Sequence, residues 1–475
     1  MASSDFTFET FFNIVKGEHR TSDKTVFGID PSTESRLWDV PVATTRDVED
    51  AVESANEAFK TWSTTPFEQR VSRISQWKEL YKQYVEDFTN LLIAECGKPR
   101  SIAAGEENEI LALFDHNLQL RIPEERIEDD TRIAVTRHVP IGVVAAICLW
   151  NFPLVLSVGK ILPALLTGCS IIVKPSPFAP HSALKMAELA QKVFPLGIVQ
   201  AIGGDDSIGP ALVNHPDVHK ISFTGSSVTG KRIMASAAAT LKRVTLELGG
   251  NDPAILYPDV DIEKAAAEVV QGCFVFSGQV CVATKRVYVH ESVYEPFLKA
   301  MVDAASQIEV GKADNPRTTM GPMQNKMQYE KVQDLVADTR AQGYKFALSP
   351  RPIAYGEGYY LSPSIVDNPP PTARIVIEEQ FGPIVPVLKW SDEADVIACA
   401  DGTSSGLGAS VWSADTCRAE RVGRQMQAGS VFVNCWAKTT PWAMLSGHKE
   451  SGIGGEWGST WFLQYCNTQV VHVFK

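Results

Sequence analysis

The sequence lacks the features that mark several large classes of proteins. Its nine cysteines are scattered and odd in number, and no CxxC pair occurs among the 475 residues. This pattern argues against a disulfide framework and a zinc knuckle, so we predict no metal site. Basic clusters are also missing, and the formal net charge is -12. Because such a chain repels phosphate backbones, we expect no nucleic-acid partner, and free thiols favour a reducing, cytoplasmic location.

No apolar run is long and clean enough to predict a membrane span. Residues 141–173 are almost continuously apolar, but Asn151, Pro153, Lys160 and Pro163 interrupt them. Turn signals at this frequency favour a buried strand, a helix and a second strand. The first residues include early acidic side chains and do not resemble a signal or transit peptide. We therefore expect no membrane association.

The strongest positive signal is a series of apolar runs rich in Val and Ile, separated by helical stretches. Strands that are buried on both faces and alternate with helices indicate a parallel sheet of βαβ units, so we predict an α/β fold. Ligands of such sheets gather at the carboxyl ends of the strands. The runs are "GVVAAICLW" (142–150), "SIIVKPS" (170–176), "IVQAIGG" (198–204), "KISFTGS" (220–226) and "VTLELGG" (244–250).

A second α/β pattern begins near Asn251 and continues to about residue 450. Between the first strands, the charged segment 122–142 breaks the βα rhythm and suggests a hairpin. The tail ends in an alternating strand for which we expect no partner within a monomer.

The stretch "GSSVTGKR" (225–232) is close to a phosphate-binding P-loop. The position that needs a magnesium-binding hydroxyl is Arg232, which disfavours a nucleotide triphosphate hydrolase. A Gly-rich turn that opens a helix can still bind a dinucleotide pyrophosphate, or it can be purely structural.

Three residues have chemistry that an enzyme could use, although each also has a structural explanation. Cys281 in "SGQVCVATKR" is either a nucleophile or an apolar filler. Glu247 ends an apolar strand and is either a general base or an ion-paired carboxylate. Asn151 in "LWNFP" either donates to an oxyanion or stabilises the turn before Pro153.

Taken together, these stretches resemble the aldehyde dehydrogenase superfamily over nearly the whole chain. Six motifs stand in the order and spacing of that family, and together they are far more specific than any one of them. They are "WNFPL", "IIVKPS", "FTGSSVTGK", "VTLELGGNDPAI", "SGQVCVATKR" and "EEQFGPIVPV".

The resemblance implies oxidation of an aldehyde to the carboxylic acid with NAD(P)+. Cys281 would attack the aldehyde, Asn151 and the Cys281 N–H would hold the oxyanion, and Glu247 would activate the water that hydrolyses the thioester. It also implies a cofactor site formed by Trp150, Lys174, Ser176, Gly225, Ser226, Gly230, Leu248, Glu379 and Phe381.

The sequence departs from the family pattern at positions that concern specificity. Many relatives have a Glu that binds the ribose 2′-hydroxyl, where this chain has Pro177. We therefore predict NAD and retain NADP as the alternative. Gly159 replaces a bulky aromatic residue, which suggests a wide substrate tunnel. The segment "MLSG" (444–447) is also unusual. We expect a larger or functionalised aldehyde, in a pocket formed by Phe152, Leu156, Gly159, Trp436 and Lys438.

The family fold has two Rossmann-like α/β domains and a small β oligomerisation element. It implies a cofactor domain at 1–121 and 141–250, a catalytic domain at 251–450, and the oligomerisation element at 122–140 and 455–475. The last element predicts a homodimer or homotetramer and pairing of the tail between subunits. The alternative function is a catalytically silent relative that acts as a binding or structural protein.

Overall fold

The computed structural model describes residues 6–353 and 356–475. One sheet of eight strands contains a central group of five parallel strands within residues 143–247. Those strands are almost entirely buried, which explains their continuous apolar sequence. The spatial order is Glu18–Arg20, Asn13–Val15, Val199–Ala201, Ser170–Lys174, Val143–Ile147, Lys220–Thr224, Arg243–Glu247 and Gly452–Ile453.

The second sheet has seven strands, all from residues 252–433. Its strands are parallel except for the first, which is antiparallel to its neighbour. The order is Phe346–Leu348, Ser364–Asp367, Ile384–Trp390, Thr284–His290, Asp252–Leu256, Gly408–Trp412 and Ser430–Val433. Two sheets of this kind confirm the predicted mixed α/β fold. The assignment of one to the cofactor and the other to catalysis stays a prediction.

Helices cover both sheets. In chain order, the α-helices are Thr45–Trp62, Phe67–Tyr81, Val85–Cys96, Arg100–Gln119, Pro153–Thr167, His181–Ala190, Ile208–Asn214, Ser227–Ala237, Ile262–Phe274, Tyr294–Ser306, Lys326–Ala341, Arg374–Ile377, Glu393–Asp401 and Thr416–Gly423. Every residue of Pro153–Thr167 is buried, so the apolar run 141–173 forms the predicted strand, helix and strand. Within residues 6–353 and 356–475, no helix has the length and apolar character to cross a membrane.

A third sheet of three antiparallel strands consists of Cys466–Phe474, Arg132–Pro140 and Glu125–Glu128. The hairpin predicted in the charged segment is therefore confirmed. Our expectation that the tail strand has no partner in its own chain is wrong, because it pairs in continuous register from Cys466↔Pro140 to Phe474↔Arg132. The sequence could not show this pairing, because more than 300 residues separate the two strands.

Two small hairpin-like pairs complete the fold. Thr25–Ile29 pairs with Arg36–Pro41, and Leu445–Ser446 pairs with Gly455–Glu456. The strand Gly452–Ile453 returns the chain to the edge of the first sheet, beside the end of Arg243–Glu247. The segment after residue 440 thus lies against the carboxyl ends of the parallel strands, where α/β proteins place their ligands.

Candidate active site

Cys281 follows a short loop with an unusual backbone. Phe276, Ser277 and Gly278 all have positive φ, at 46°, 57° and 73°. Such conformations are strained for residues with a side chain, and they persist only where the surrounding structure fixes them. Here the Ser277 hydroxyl donates to the Gly321 carbonyl at 2.8 Å. The loop therefore holds the thiol in a defined place after the helix Ile262–Phe274.

Gln279 connects this loop to the rest of the site. Its side chain is fully buried, donates to the Phe276 carbonyl at 3.1 Å and accepts from the Gln324 N–H at 2.8 Å. Its backbone carbonyl accepts a hydrogen bond from Asn151 Nδ2 at 3.0 Å. An Asn amide carries two N–H donors, so one of them remains for a ligand. Sequence reasoning missed Gln279, although it stands inside the motif that contains Cys281.

The structure brings Cys281 and Glu247 together. The thiol donates to Glu247 Oε1, with 3.6 Å between the sulfur and the oxygen. The Thr224 hydroxyl donates to the other carboxylate oxygen at 3.3 Å. Thr224 and Glu247 are register partners at the carboxyl ends of neighbouring parallel strands, which explains why residues 23 positions apart meet.

Burial controls the protonation of this pair. It raises the pKa of the Cys281 thiol well above its usual value, and the Glu247 charge adds to the effect. Burial and then the charge of Glu456 raise the pKa of Glu247 to about 7, while Lys160 opposes the shift. A carboxylate that titrates near neutrality can take a proton from the thiol or from water.

Lys160 and Glu456 form a buried ion pair behind this site. Lys160 Nζ also donates to Thr224 Oγ1 at 2.8 Å, which connects the ion pair to Glu247. The sequence indicates such a pair, because a lysine inside a mostly apolar, buried helix needs a buried partner. The partner itself could not be found from the sequence, since it lies 296 residues away.

Cys281 lies where two cavities meet. The larger has a volume of about 570 Å³ and extends along the carboxyl edge of the first sheet. The smaller has a volume of about 240 Å³ and contains Asn151 and Glu247 in its wall. Cys281, Leu149 and Thr224 line both. The thiol can therefore be approached from two sides at once.

The larger cavity, which we call the cofactor cleft, contains most residues predicted for a dinucleotide. Gly230 is the exception within the described chain, because it packs inward: a Cβ at this position would lie 2.6 Å from Leu248 Cδ2. Its lack of a side chain is explained by packing. The predicted residues that line the cleft are Trp150, Lys174, Ser176, Gly225, Ser226, Leu248, Glu379 and Phe381.

Three observations show that the cofactor cleft fits a dinucleotide. Lys174 is buried, which lowers the pKa of its ammonium, yet it forms no ion pair or side-chain hydrogen bond with another described residue. The helix Ser227–Ala237 opens on the cleft, and Ser226 caps it. Helix N-termini attract phosphates. Glu379 accepts a hydrogen bond from the Gly250 N–H at 3.1 Å. A Cβ on Gly249 would lie 2.3 Å from the Glu379 carboxylate, so the glycine leaves room for this carboxylate in the wall of the cleft.

The smaller cavity, which we call the substrate cavity, includes Phe152, Leu156 and Trp436, as predicted for an aldehyde pocket. Two predicted residues lie elsewhere. The Lys438 ammonium lies 3.2 Å from Glu268 Oε2, and its side chain is more than half exposed. Gly159 does not widen the cavity, because the indole of Trp457 covers it: a Cβ on Gly159 would lie 3.2 Å from Trp457 Nε1.

Comparison with known proteins identifies this architecture. A sequence model described as the aldehyde dehydrogenase family matches residues 19–471. The chain belongs to the aldehyde dehydrogenase family. This membership agrees with the six motifs and gives the reaction class, oxidation of an aldehyde. It also excludes the hydrolase of nucleotide triphosphates that the P-loop-like stretch suggested.

Several known proteins resemble the chain over almost its full length. A putative aldehyde dehydrogenase, FUS7, of Gibberella fujikuroi is 41% identical over 469 residues, which cover 99% of this chain and 100% of that protein. An NAD+ complex of aldehyde dehydrogenase from Bacillus cereus is 34% identical with a TM-score of 0.95, over 99% of this chain and 97% of that one. An NADP-dependent enzyme of E. coli is 30% identical with a TM-score of 0.96, over 99% and 100%.

Proposed function

We propose that this aldehyde dehydrogenase converts an aldehyde to its carboxylic acid through a covalent adduct on Cys281. The observation that carries the proposal is the position of the thiol, which lies between two cavities and 3.6 Å from Glu247. A nucleophile, an adjacent base and separate spaces for two reactants are what this reaction requires.

The first step makes the carbon–sulfur bond. Glu247 takes the thiol proton, and the thiolate attacks the aldehyde carbon, so that the carbonyl electrons move to the oxygen. The free N–H of the Asn151 amide and the Cys281 backbone N–H stabilise that oxyanion. Because Asn151 is held by the Gln279 carbonyl and by the Phe152 N–H, its amide is oriented before the aldehyde binds.

The cofactor cleft supplies the place for the oxidant. Lys174 and Ser176 would hold the adenosine ribose, the helix that begins at Ser227 the pyrophosphate, and Glu379 the second ribose. A nicotinamide bound there would supply the hydride acceptor for the adduct on Cys281. Trp150 and Phe381 contact each other edge to face, with ring centroids 5.4 Å apart, and form part of the apolar wall of the cleft.

Glu247 acts again in the last step. Oxidation leaves an acyl group on the Cys281 sulfur as a thioester. Glu247 first releases the thiol proton to solvent. It then takes a proton from water, the hydroxide attacks the acyl carbon, and the thiolate leaves as the acid forms and regains a proton from Glu247. Its pKa of about 7 suits a base that gains and loses a proton in each cycle.

We propose NAD as the cofactor, with NADP as the alternative. The Bacillus cereus relative was solved with NAD+, and the structurally similar E. coli enzyme is described as NADP-dependent, so proteins of this fold are found with either cofactor. Pro177 lines the cofactor cleft beside Lys174 and Ser176, and it offers no carboxylate to repel a 2′-phosphate. This region of the cleft decides the preference.

The substrate cavity favours an aldehyde larger than two carbons. Its walls are mostly apolar and include the rings of Phe152, Trp436 and Trp457. Glu109 is a carboxylate in the same wall, and burial raises its pKa to about 7. A functional group on the far end of the aldehyde could contact it.

We also propose that the enzyme assembles as a homo-oligomer through the three-stranded sheet. The strand Cys466–Phe474 lies at the edge of that sheet and exposes Val470, Val471, Val473 and Phe474. An exposed apolar edge strand is suited to pairing with a second copy. Whether the subunits form a dimer or a tetramer, and the cytoplasmic location, stay predictions.

The reaction is tested by following absorbance of the reduced cofactor with a panel of aldehydes, with NAD and NADP separately. Cys281→Ala should lower kcat at least about a thousandfold, because nothing replaces the nucleophile. Cys435→Ala is the matched control, since it removes another partly buried thiol and should keep activity within about threefold. Wild-type protein that binds NAD but oxidises none of the aldehydes would favour the catalytically silent relative.

A further inference from the structure

Gly159 leaves a gap in one wall of the substrate cavity. The residues Phe152, Val155 and Leu156 face this cavity from the start of the helix Pro153–Thr167. Residues three and four apart on a helix share a face, so position 159 is the next on this stripe. A side chain there would extend into the wall, and glycine supplies none.

Trp457 fills this gap from a distant part of the chain. The nearest atom to an ideal Cβ on Gly159 is Trp457 Nε1 at 3.2 Å, followed by Leu113 Cδ1 at 3.9 Å. Trp457 is 8% exposed and lines the substrate cavity. Its indole therefore lies between Gly159 and the cavity and replaces the side chain that the helix lacks.

The segment around Trp457 is fixed on both sides. The preceding residue, Glu456, forms the buried ion pair with Lys160, which is the residue after Gly159. The following residue, Gly458, donates its N–H to the Pro441 carbonyl at 2.8 Å. These two contacts hold Trp457 at a φ of 63°, a conformation that non-glycine residues rarely adopt.

Packing, and not a hydrogen bond, places the ring. The indole N–H is buried and has no hydrogen-bond partner in the described chain. Buried tryptophans usually satisfy this donor. Since no described residue accepts a hydrogen bond from the Trp457 indole, we infer that the shape of the space at Gly159 determines where the ring lies.

We propose that Trp457 is a specificity-determining residue, which sets the width of the aldehyde that can reach Cys281, with Gly159 as its steric complement. The inference rests on the proposed function, because it takes this cavity as the aldehyde site. The indole wall admits aldehydes on a slender, unbranched chain and excludes a saturated ring beside the carbonyl. Conversely, an enzyme without this indole accepts such rings.

The test compares kcat/KM for butanal and for cyclohexanecarbaldehyde. In Trp457→Ala, the ratio of the bulky to the slender aldehyde should rise at least about tenfold, within the range expected for a few methylene-sized contacts. In Gly159→Ala, the added Cβ pushes the indole toward the cavity, and the ratio should fall about threefold. In the double variant, Gly159→Ala should have no further effect, because its steric partner is gone.

Leu445→Ala is the matched control. Leu445 lines the same cavity from another element and is not among the nearest neighbours of a Cβ at position 159. Its effect on the ratio should therefore add to that of Gly159→Ala. Additive effects of Gly159→Ala and Trp457→Ala, or an unchanged ratio in Trp457→Ala, would overturn the proposal. If Trp457→Ala does not fold, Trp457→Leu takes its place, and its ratio should rise at least about threefold.

A binding measurement separates failure of this proposal from failure of the proposed function. Calorimetry of butanamide and cyclohexanecarboxamide needs neither cofactor nor turnover. In Trp457→Ala, the ratio of the Kd of the bulky amide to that of the slender amide should fall, because a lower Kd means tighter binding. If the wild type oxidises no aldehyde, the proposed reaction is wrong. The Kd values of the two amides then still test whether Trp457 sets the width of the cavity. An unchanged Kd ratio in Trp457→Ala would then overturn it.

Discussion

Lys160 Nζ lies 2.8 Å from Thr224 Oγ1, and through this hydroxyl a buried ion pair reaches the carboxylate of Glu247. The Thr224 hydroxyl donates a hydrogen bond to Glu247, and its oxygen can accept a hydrogen bond from Lys160 at the same time. The charges of Lys160 and Glu456 oppose each other at Glu247: the first lowers its pKa and the second raises it. The protonation of the proposed base therefore depends on residues that contact no substrate.

The first prediction concerns pH. Acid release should accelerate as pH rises through about 7, because Glu247 becomes an ionised base there. Glu456→Gln removes a negative charge, so the midpoint should move to lower pH. Lys160→Met removes the opposing positive charge, so the midpoint should move to higher pH. Stopped-flow measurement of thioester hydrolysis across pH 5 to 9 checks both directions.

Glu247→Gln is the control for that profile, since it should abolish the pH-dependent rise and slow acid release more than formation of reduced cofactor. Lys160→Met leaves Glu456 buried without its partner, at a cost of about 3–5 kcal/mol, so the double variant with Glu456→Gln controls for stability. Midpoints that move in the same direction in the two single variants would contradict the electrostatic explanation.

The second prediction follows from the same raised pKa but concerns stability. Burial favours the protonated form of Glu247 in the folded state. Its contribution to stability is therefore present below the unfolded pKa, near 4.3, and is lost as pH rises through about 7. Glu247→Gln has no charge to bury. Its Tm should consequently rise relative to the wild type between pH 5 and pH 8.5.

The Tm difference between Glu247→Gln and the wild type is measured at pH 5 and at pH 8.5. The change in this difference between the two pH values does not contain the pH-independent cost of replacing the side chain. Glu109→Gln provides a second site for the same test, because burial also raises the pKa of Glu109 to about 7. A difference in Tm that is equal at both pH values would show that Glu247 does not titrate near neutrality in the folded protein.

The third prediction concerns the oxyanion. Asn151→Ala removes the amide that the Gln279 carbonyl orients at 3.0 Å, and kcat should fall about 100- to 1,000-fold with little change in KM. Asn151→Asp keeps the shape but replaces the donor with a carboxylate, so it should be at least as damaging. A fall of less than tenfold in both variants would assign Asn151 to the turn alone.

The chemistry proposed for this site could be predicted from the sequence because local motifs contain its residues. Asn151 and Glu247 lie at the carboxyl ends of strands of the first sheet, whereas Cys281 lies in the turn before the strand Thr284–His290 of the second sheet. The contacts that affect the pKa of Glu247 and the shape of the substrate cavity could not be predicted from the sequence. Lys160 and Glu456, like Gly159 and Trp457, meet only after the segment beyond residue 440 returns to the first sheet.

The differences between the predictions and the structure have the same physical origin. Lys438 lies two residues after Trp436 and was predicted to contact the substrate, but its ammonium pairs with Glu268 on the helix Ile262–Phe274. The tail strand looked unpaired because its partner, Arg132–Pro140, is remote in sequence. Sequence periodicity identifies a strand and its faces, whereas a partner hundreds of residues away depends on the complete topology.

The fourth prediction concerns cofactor choice. Pro177 lines the cofactor cleft next to Ser176, where a carboxylate could bind a ribose 2′-hydroxyl and repel a 2′-phosphate. Pro177→Glu should therefore raise the NAD to NADP ratio of kcat/KM at least about tenfold, mainly through weaker NADP binding. Pro177→Gln is the matched control, because it adds a side chain of the same length without the charge. Equal effects of the two variants on NADP would indicate crowding and not electrostatics.

The fifth prediction concerns assembly. Val471 and Val473 are two apart on the tail strand, so they share a face, and both are more than 40% exposed. Replacing both with Lys should dissociate the oligomer to a 52.0 kDa species in light scattering after gel filtration.

The chain fold should survive this change, because Arg132–Pro140 holds the tail strand by backbone hydrogen bonds that do not depend on those side chains. Leu241→Lys is the control, since Leu241 is an exposed apolar residue outside the three-stranded sheet and should not affect mass. A double Lys variant with the mass of the wild type would show that this face does not form the interface. A monomeric wild type would refute the homo-oligomer, and the apolar edge would then need another explanation, because a sheet edge this exposed promotes association.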